Sequence, residues 1–416
     1  MKRKSLRETL KAIGPGVITG AADDDPSGIA TYSIAGAQFG TSLLWMAIVS
    51  WPLMAGVQSM CARIGMVTGR GLMSSLRSRI PRPVLVVMSI ALLLTNTINI
   101  GADLSGMADA AEQFTKVSSH IFVMIFGVMI AFATVRLRYA MLANTLKYLA
   151  IVLFAYVITA FMVGPNWPQV AHDTFVPHIP EHSAWSMVVA ILGTTISPYL
   201  FFWQASQEVE EEKAMGRKTV RERQGATGEE MSLRRLDIGT GTLISNSAMF
   251  FIILTTALTL HANGMTNIST SKEVAAALKP LAGPYASLLY AIGIIGTGAL
   301  AIPTLAGSAG YAFSELFNWH QGIDETFRRA PKFYIVLVLA VLAGVAIDFA
   351  PITAIQAMYY SAILNGLLAP FLLIGILMVA SDKVIMQGQP SSLLSRATVG
   401  LTTVAMFGAA IAMFFV

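Results

Sequence analysis

Eleven predominantly apolar segments, each close to the length of a bilayer-spanning helix, run through the 416-residue sequence. Apolar residues make up 55% of the chain and charged residues only 12%, whereas roughly a quarter of an ordinary soluble protein is charged. A surface of this kind needs lipid to cover it, so the pattern predicts an all-α integral membrane protein. We predict spans near residues 13–40, 42–66, 83–111, 119–135, 143–164, 183–210, 236–261, 284–314, 332–349, 352–380 and 394–416.

The distribution of lysine and arginine indicates how these spans are oriented, because cytoplasmic loops of membrane proteins are enriched in both residues. With the amino terminus in the cytoplasm and the carboxyl terminus outside, 25 of the 28 basic residues fall on the inner side. Only Lys116, Lys272 and Lys279 remain outside. The longest polar connection, residues 211–235, is then a cytoplasmic loop. We therefore predict a multi-pass protein of the inner membrane.

Composition argues against several other classes of protein. The net charge of +5 follows from topology and from attraction to anionic lipid, so a nucleic-acid partner is not expected. The single cysteine, Cys61, is too few for a disulfide framework or a cysteine-rich zinc site. The basic start of the chain is not followed by the small-residue cleavage site of a signal peptide. We expect no cofactor and no obligate protein partner.

The first span is interrupted by charged and helix-breaking residues. Residues 21–28 read AADDDPSG, which places three carboxylates, a proline and a glycine inside an apolar segment. Pro26 removes a helical hydrogen bond and pushes Asp25 out of helical geometry. Irregular backbone at membrane depth is tolerated where it lines a cavity, and a carboxylate there indicates a functional site. We therefore predict that Asp25 is a site residue, whereas Asp23 and Asp24 could instead lie at the wet mouth of a cavity.

The sixth span carries a second interruption, GTTISPY at residues 193–199. The two breaks lie five spans apart, so the second five-span unit enters the membrane from the opposite side. This spacing is typical of inverted repeats with a binding site between two discontinuous helices. The pattern predicts a single transporter domain, 1–416, with repeats near 13–164 and 183–380 and an extra helix at 394–416. Carbonyl groups freed at the second break could coordinate a cation.

Together with Gly14-Pro15-Gly16, these two motifs resemble the Nramp family of divalent metal transporters. The first break of that family reads Asp-Pro-Gly-Asn, where this chain has Asp-Pro-Ser-Gly. Its sixth-helix break reads Ala-Thr-Val-Met-Pro-His, which residues 193–199 resemble. The resemblance implies a LeuT-type fold of two inverted five-helix repeats, about 11 transmembrane helices with helices 1 and 6 broken, and transport of a divalent metal ion.

The resemblance also implies a metal-binding set, in an altered form. The family binds metal with the aspartate, the asparagine, a sixth-helix carbonyl and a methionine sulfur. The matching positions here are Asp25, Gly28, the Thr194 carbonyl and Ser197. A wider site with only oxygen ligands suits Mg²⁺, which usually keeps several waters when bound. The pattern resembles the Nramp-related magnesium transporters, so we expect carriage of Mg²⁺, and also of Mn²⁺, into the cytoplasm.

Residues that the family uses to move protons are altered as well. Tyr199 replaces a histidine, and Gly106 replaces the second member of a third-helix acidic pair, so that only Asp103 remains. We therefore expect metal transport without proton coupling, with Asp103 acting either as a proton relay or as a structural acid. Ala22, Tyr199 and Asp103 are further candidates for the cavity or for a relay.

Three alternative functions stay open. A proton-coupled Mn²⁺/Fe²⁺ symporter would keep the family and change the coupling. An intramembrane magnesium-dependent prenyltransferase would need a second acidic motif, and Asp103, Asp109 and Glu112 lack its tight spacing. An amino-acid symporter of the same fold is disfavoured, because the acid at the first break would repel a substrate carboxylate. Asn99 and other asparagines within spans could face the cavity or join helices by hydrogen bonds, and the second role is the commoner one.

Overall fold

The computed structural model describes residues 23–115, 117–136 and 151–415, and within these ranges the regular structure is helical. The longer helices are α1 (Pro26–Phe39), α2 (Trp45–Thr68), α3 (Arg82–Glu112), α4 (Ser119–Arg136), α5 (Phe154–Val163), α6 (Ala184–Thr195), α7 (Pro198–Ala214), α8 (Gly228–Thr259), α9 (Ala286–Phe317), α10 (Pro331–Ile347), α11 (Ala354–Ser381) and α12 (Leu393–Phe415). Short α-helices lie between them at Leu72–Leu76, Trp167–Phe175, Val220–Arg223, Ser271–Ala275 and Lys279–Ala282.

Seven helical stretches in the described ranges are long and apolar enough to cross a membrane, and α5 and α10 are shorter apolar helices. The predicted all-α, multi-pass fold class is thereby confirmed. Residues 13–22 and 143–150, which belong to the predicted first and fifth spans, lie outside the described residues, as does the candidate Ala22.

Both predicted helix breaks are present. Asp24 and Asp25 are non-helical, and α1 begins at Pro26 with Asp25 in an extended conformation (φ −71°, ψ 167°). The second break separates α6 from α7 at Ile196 and Ser197, of which Ser197 is also extended (φ −75°, ψ 131°). Proline as the first residue of α1 and of α7 explains both positions, because it cannot continue a preceding helix but is well suited to start a new one.

The two broken helices lie at the centre of the bundle. α1 packs against α3, α6, α8 and α11, and α7 packs against α2 and α9. Almost all side chains of α1 and α6 are buried, whereas α4 and α12 expose apolar side chains on the outside of the bundle. Burial of irregular backbone inside the protein is the condition under which a membrane-spanning helix can be interrupted.

A close helix contact holds the second break in place. A Cβ atom added to Gly193 on α6 would lie 2.0 Å from the carbonyl oxygen of Ala362 on α11. A Cβ added to Gly366 on α11 would lie 2.4 Å from the carbonyl oxygen of Val189 on α6. The two backbones can approach this closely only because both positions are glycine, a common device between membrane helices.

The segment 211–235 differs from the predicted cytoplasmic loop. Helix α7 continues to Ala214, a short helix covers Val220–Arg223, and α8 begins at Gly228. Only the residues between these helices are irregular. Most of this connection is therefore helical, and its cytoplasmic location stays a prediction.

Local capping explains why this charged segment is helical. Thr219 and Glu222 form a reciprocal capping box at one helix start, and Thr227 and Glu230 form another at the start of α8. Arg234 on α8 also forms ion pairs with two glutamates of α7. Charges of both signs here make caps and pairs, so the segment is ordered.

Candidate metal-binding site

Asp25 is buried at the first break, where its two carboxylate oxygens have different partners. Oδ1 accepts a hydrogen bond of 2.6 Å from the backbone amide of Gly28, and this contact caps the start of α1. Oδ2 accepts one of 3.0 Å from the side-chain amide of Asn99 on α3. No Lys, Arg or His nitrogen among the described residues lies within 4.0 Å of the carboxylate. The charge of Asp25 is therefore held by neutral donors and remains available to a cation.

Gly28 leaves little space beside this carboxylate. A Cβ atom added there would lie 3.3 Å from Asp25 Oδ1, 3.5 Å from the Tyr32 ring and 3.6 Å from the carbonyl oxygen of Asp23. The predicted ligand position at Gly28 thus carries no side-chain ligand, and oxygen atoms surround it on two sides.

At the second break, Ser197 and Thr194 lie together. The Ser197 hydroxyl lies 2.8 Å from the carbonyl oxygen of Gly193 and 2.7 Å from that of Thr194. The Thr194 hydroxyl donates to the Tyr32 hydroxyl at 3.0 Å, which joins the second break to α1. Ser197 supplies a hydroxyl and no sulfur. The atoms of Asp25, Thr194 and Ser197 that could bind a cation are therefore all oxygen atoms.

A chain of hydrogen bonds extends from Asp25 to Asp103. The Ser361 hydroxyl of α11 lies 2.7 Å from Asn99 Oδ1 and 3.2 Å from the Ser27 hydroxyl. The Ser27 hydroxyl and amide donate to Asp103 Oδ1 at 2.7 and 3.1 Å. Oδ2 of Asp103 is buried and has no hydrogen-bond partner in the described structure.

Asn99 was predicted to face the cavity or to join helices by a hydrogen bond, and its bond to Asp25 joins α3 to the start of α1. Ser361 is a site residue that sequence reasoning missed. The signal for Asn99 was its position four residues before Asp103, because residues at that spacing lie on the same face of a helix. The signal for Ser361 was weaker, since serine within a membrane helix usually bonds its own backbone.

The remaining relay candidates are placed differently. Tyr199 is fully buried one residue after the proline that starts α7. A Cβ atom added to Gly106 would lie 2.8 Å from the sulfur of Met358, so the methionine occupies the place where a larger side chain would extend. Asp103 is brought into contact with α1, as described above, whereas Ala22 lies outside the described residues.

The donor set limits the chemistry of the site. No group of three His, Cys, Asp or Glu side chains in the described ranges could hold a metal. A cation bound at Asp25 would therefore rely on that one carboxylate, supplemented by carbonyl and hydroxyl oxygens and by water. Such a ligand set suits hard divalent cations.

A bundle with two interrupted central helices and a buried acid at the first interruption defines a membrane transporter of LeuT type. Comparison with known proteins makes the assignment specific. The sequence profile described as "Natural resistance-associated macrophage protein-like" (Nramp) matches residues 16–416, so the chain belongs to the Nramp family.

Two relatives illustrate the distance within the family. The divalent metal cation transporter MntH of Yersinia pestis (strain Pestoides F) is 25% identical over 347 residues, which cover 80% of this chain and 81% of the relative. The protein of the same name from Erwinia tasmaniensis is 25% identical over 361 residues, covering 80% of each chain.

Solved structures confirm the predicted LeuT-type fold. The manganese transporter of Eremococcus coleocola superposes with a TM-score of 0.73 at 17% identity, covering 98% of this chain and 87% of that chain. Mhp1, a nucleobase-cation-symport-1 family transporter, superposes with a TM-score of 0.61 at 14% identity, covering 96% and 90%. At these identities the similarity concerns the fold alone.

Proposed function

We propose that this protein carries divalent metal cations across the membrane by alternating access, with Asp25 as the principal ligand. The observation that carries the proposal is a buried carboxylate at a helix break, held by neutral donors and without a basic partner among the described residues. An acid of this kind is energetically costly within a membrane span, and its presence there indicates a functional site. The names of the related MntH proteins support the same class of substrate.

The finer proposal concerns which cations are carried. Asp25, the position at Gly28, the Thr194 carbonyl and Ser197 would bind the ion together with retained water. An oxygen-only set favours Mg²⁺ and also accepts Mn²⁺, whereas the larger Ca²⁺ should be a poorer substrate. A membrane potential that is negative on the cytoplasmic side would drive a dication inward.

A second candidate is a proton-coupled Mn²⁺/Fe²⁺ symporter. It is favoured by the solved manganese transporter of the same fold and by Asp103, a buried acid with one unpartnered oxygen. The prenyltransferase alternative is set aside. Asp109 accepts the Ser271 amide and Glu112 the Ser119 amide, so these acids cap separate helix starts and make no second chelating motif.

Uptake into proteoliposomes tests the substrate class. Purified protein should take up Mg²⁺ and Mn²⁺ with saturation, each should inhibit the other, and Ca²⁺ should compete poorly. A labelled amino acid should not enter above the level of empty liposomes. Uptake of Mn²⁺ that is indifferent to millimolar Mg²⁺ would favour the symporter of softer metals.

Proton coupling is tested in the same liposomes with a pH-sensitive dye inside. We expect Mg²⁺ entry without acidification beyond that of empty liposomes. An unperturbed tyrosine side chain has a pKa of about 10, so Tyr199 should not exchange protons near neutral pH. Glycine at position 106 has no side chain to titrate. If Mg²⁺ drove proton entry and Asp103→Asn abolished it, coupling through Asp103 would replace the uncoupled mechanism.

A further inference from the structure

Asp23 and Asp24 stand immediately before Asp25 in the chain, and the proposed site does not use them. Asp23 is the last helical residue before the break, and Asp24 is the first non-helical one. The sequence left open that both lie at a wet cavity mouth, but Asp23 is fully buried and Asp24 is only 4% exposed. Both carboxyl groups are therefore buried inside the bundle, next to Asp25 in the chain.

One hydroxyl group from a different helix serves both carboxylates. Oγ of Ser245, near the middle of α8, lies 2.8 Å from Asp23 Oδ2 and 3.0 Å from Asp24 Oδ1. A serine hydroxyl has a single proton to donate. It can therefore satisfy only one of the two carboxylate oxygens at a time.

The two carboxyl groups have too few hydrogen-bond donors and no nearby basic group among the described residues. Oδ1 of Asp23 is buried and has no hydrogen-bond partner in the described structure. Within the ranges that the structure covers, neither Asp23 nor Asp24 has a basic nitrogen within 4.0 Å. Burying an ion without a partner costs several kcal/mol even after relaxation. A cation bound between the two carboxylates would satisfy the unpartnered oxygen and balance the charge that the shared hydroxyl cannot.

We infer that Asp23, Asp24 and Ser245 form a second binding site for a divalent cation, distinct from the Asp25 site. Two carboxylates carry the charge that a dication balances, and Mg²⁺ is commonly bound by one or two carboxylates together with retained water. The inference rests on the proposed transport of divalent cations, because it assigns the second site the same class of ion.

The two sites adjoin each other in the chain, because Asp24 directly precedes Asp25. Because two dications so close repel each other, the second ion should bind more weakly than the first. The acid pair would thus hold an ion on its way to or from Asp25.

Equilibrium dialysis of the purified full-length protein against Mn²⁺, with metal analysis, tests this inference. The wild-type protein should bind two equivalents at saturation. The Asp25→Asn variant and the Asp23→Asn/Asp24→Asn double variant should each bind one. Asp109→Asn, an acid of α3 that caps a helix start instead, is the matched control and should bind two. Excess Mg²⁺ should displace Mn²⁺ from both sites.

Other outcomes separate this inference from the proposed function. If the double variant bound two equivalents of Mn²⁺, the second site would be overturned and the proposed function would stand. The same holds if the wild type bound a single equivalent and only Asp25→Asn removed it. Loss of both equivalents in the double variant would also overturn the second site, because the acids would then only shape the Asp25 site. A wild-type protein that binds no Mn²⁺ would refute the proposed function itself.

A milder variant covers the case in which the double variant does not fold. Ser245→Ala retains both charges and removes the shared hydroxyl. We expect it to weaken binding of the second equivalent at least threefold while the first stays unchanged. A binding curve identical to the wild type would contradict the inference.

Discussion

Ser197 and Gly28 determine which donor atoms a cation meets at the breaks. Introducing a thioether and an amide with Ser197→Met and Gly28→Asn should shift preference from Mg²⁺ towards softer metals. We expect the ratio of Cd²⁺ to Mg²⁺ uptake to rise by about tenfold, which corresponds to about 1.4 kcal/mol. Competition assays in liposomes measure this ratio.

Ser197→Ala is the matched control for this change, because it removes the hydroxyl without adding sulfur. It should weaken uptake of all metals without reversing their order. An unchanged order of metals in the Met/Asn double variant would show that these two positions do not set selectivity.

Asn99 acts on transport through Asp25, which it holds by a hydrogen bond of 3.0 Å. Asn99→Ala should leave the carboxylate free to rotate, and we expect the KM for metal uptake to rise about tenfold, the cost of one charge-assisted hydrogen bond. Asn99 is therefore a positioning residue, and its effect should appear in KM more than in the maximal rate.

Asn96, one turn earlier on α3, provides the control. Its side-chain amide donates to the carbonyl oxygen of Leu305 and to the hydroxyl of Ser308, both on α9. Asn96→Ala should lower the melting temperature and leave KM unchanged. If KM rose equally in both variants, the cause would be a general loosening of α3. The loss of the hydrogen bond that orients Asp25 would then not explain the effect.

Among single residues, the sequence revealed those whose role follows from their neighbours in the chain. It did not reveal roles that depend on contacts between distant segments. Asp25 could be found because an acid beside a proline within an apolar span is unusual on local grounds alone. The role of Asn99 depends on a contact with a residue 74 positions earlier in the chain. A contact of this kind follows from how α3 packs on α1, which no local pattern reveals.

Among the helices, the close approach of α6 and α11 at Gly193 holds the second break. Gly193→Ala would place a methyl group against the Ala362 carbonyl, so the helices must separate. We expect a loss of stability of roughly 1–3 kcal/mol, typical of overpacking, together with impaired uptake. Thermal unfolding in detergent measures the loss.

Gly400 on α12 is the matched control, because a Cβ atom added there would meet no atom within 4 Å. Gly400→Ala should leave stability unchanged or raise it slightly, since alanine favours a helix over glycine. A similar loss of stability in both variants would contradict the assigned role of the α6–α11 contact.

The helices also show where local sequence patterns suffice. The breaks at Pro26 and Pro198 follow from the chemistry of proline and were predicted at the observed positions. The helical structure within 211–235 was missed, although the capping pattern of Thr227 and Glu230 is visible in the sequence. The ion pairs of Arg234 could not be foreseen, because they need α7 and α8 side by side.

In the molecule as a whole, four buried aspartates gather where α1, α3, α8 and α11 meet: Asp23, Asp24, Asp25 and Asp103. Asp25 is linked to α3 through Asn99, Asp103 to α1 through Ser27, and the acid pair before Asp25 to α8. A cation that binds here would interact with several helices at once. Binding could therefore bias how these helices pack, which alternating access requires.

Metal uptake by the Asp25→Asn variant tests the central claim most directly. The change removes the charge with little change in size, and the Asp109→Asn variant controls for loss of an acid elsewhere. In proteoliposomes with matched protein content, we expect saturable Mg²⁺ and Mn²⁺ uptake from the wild type and the control. Uptake by Asp25→Asn should fall roughly a hundredfold or more, towards the level of empty liposomes. Uptake by that variant with the KM and rate of the wild type would contradict the account.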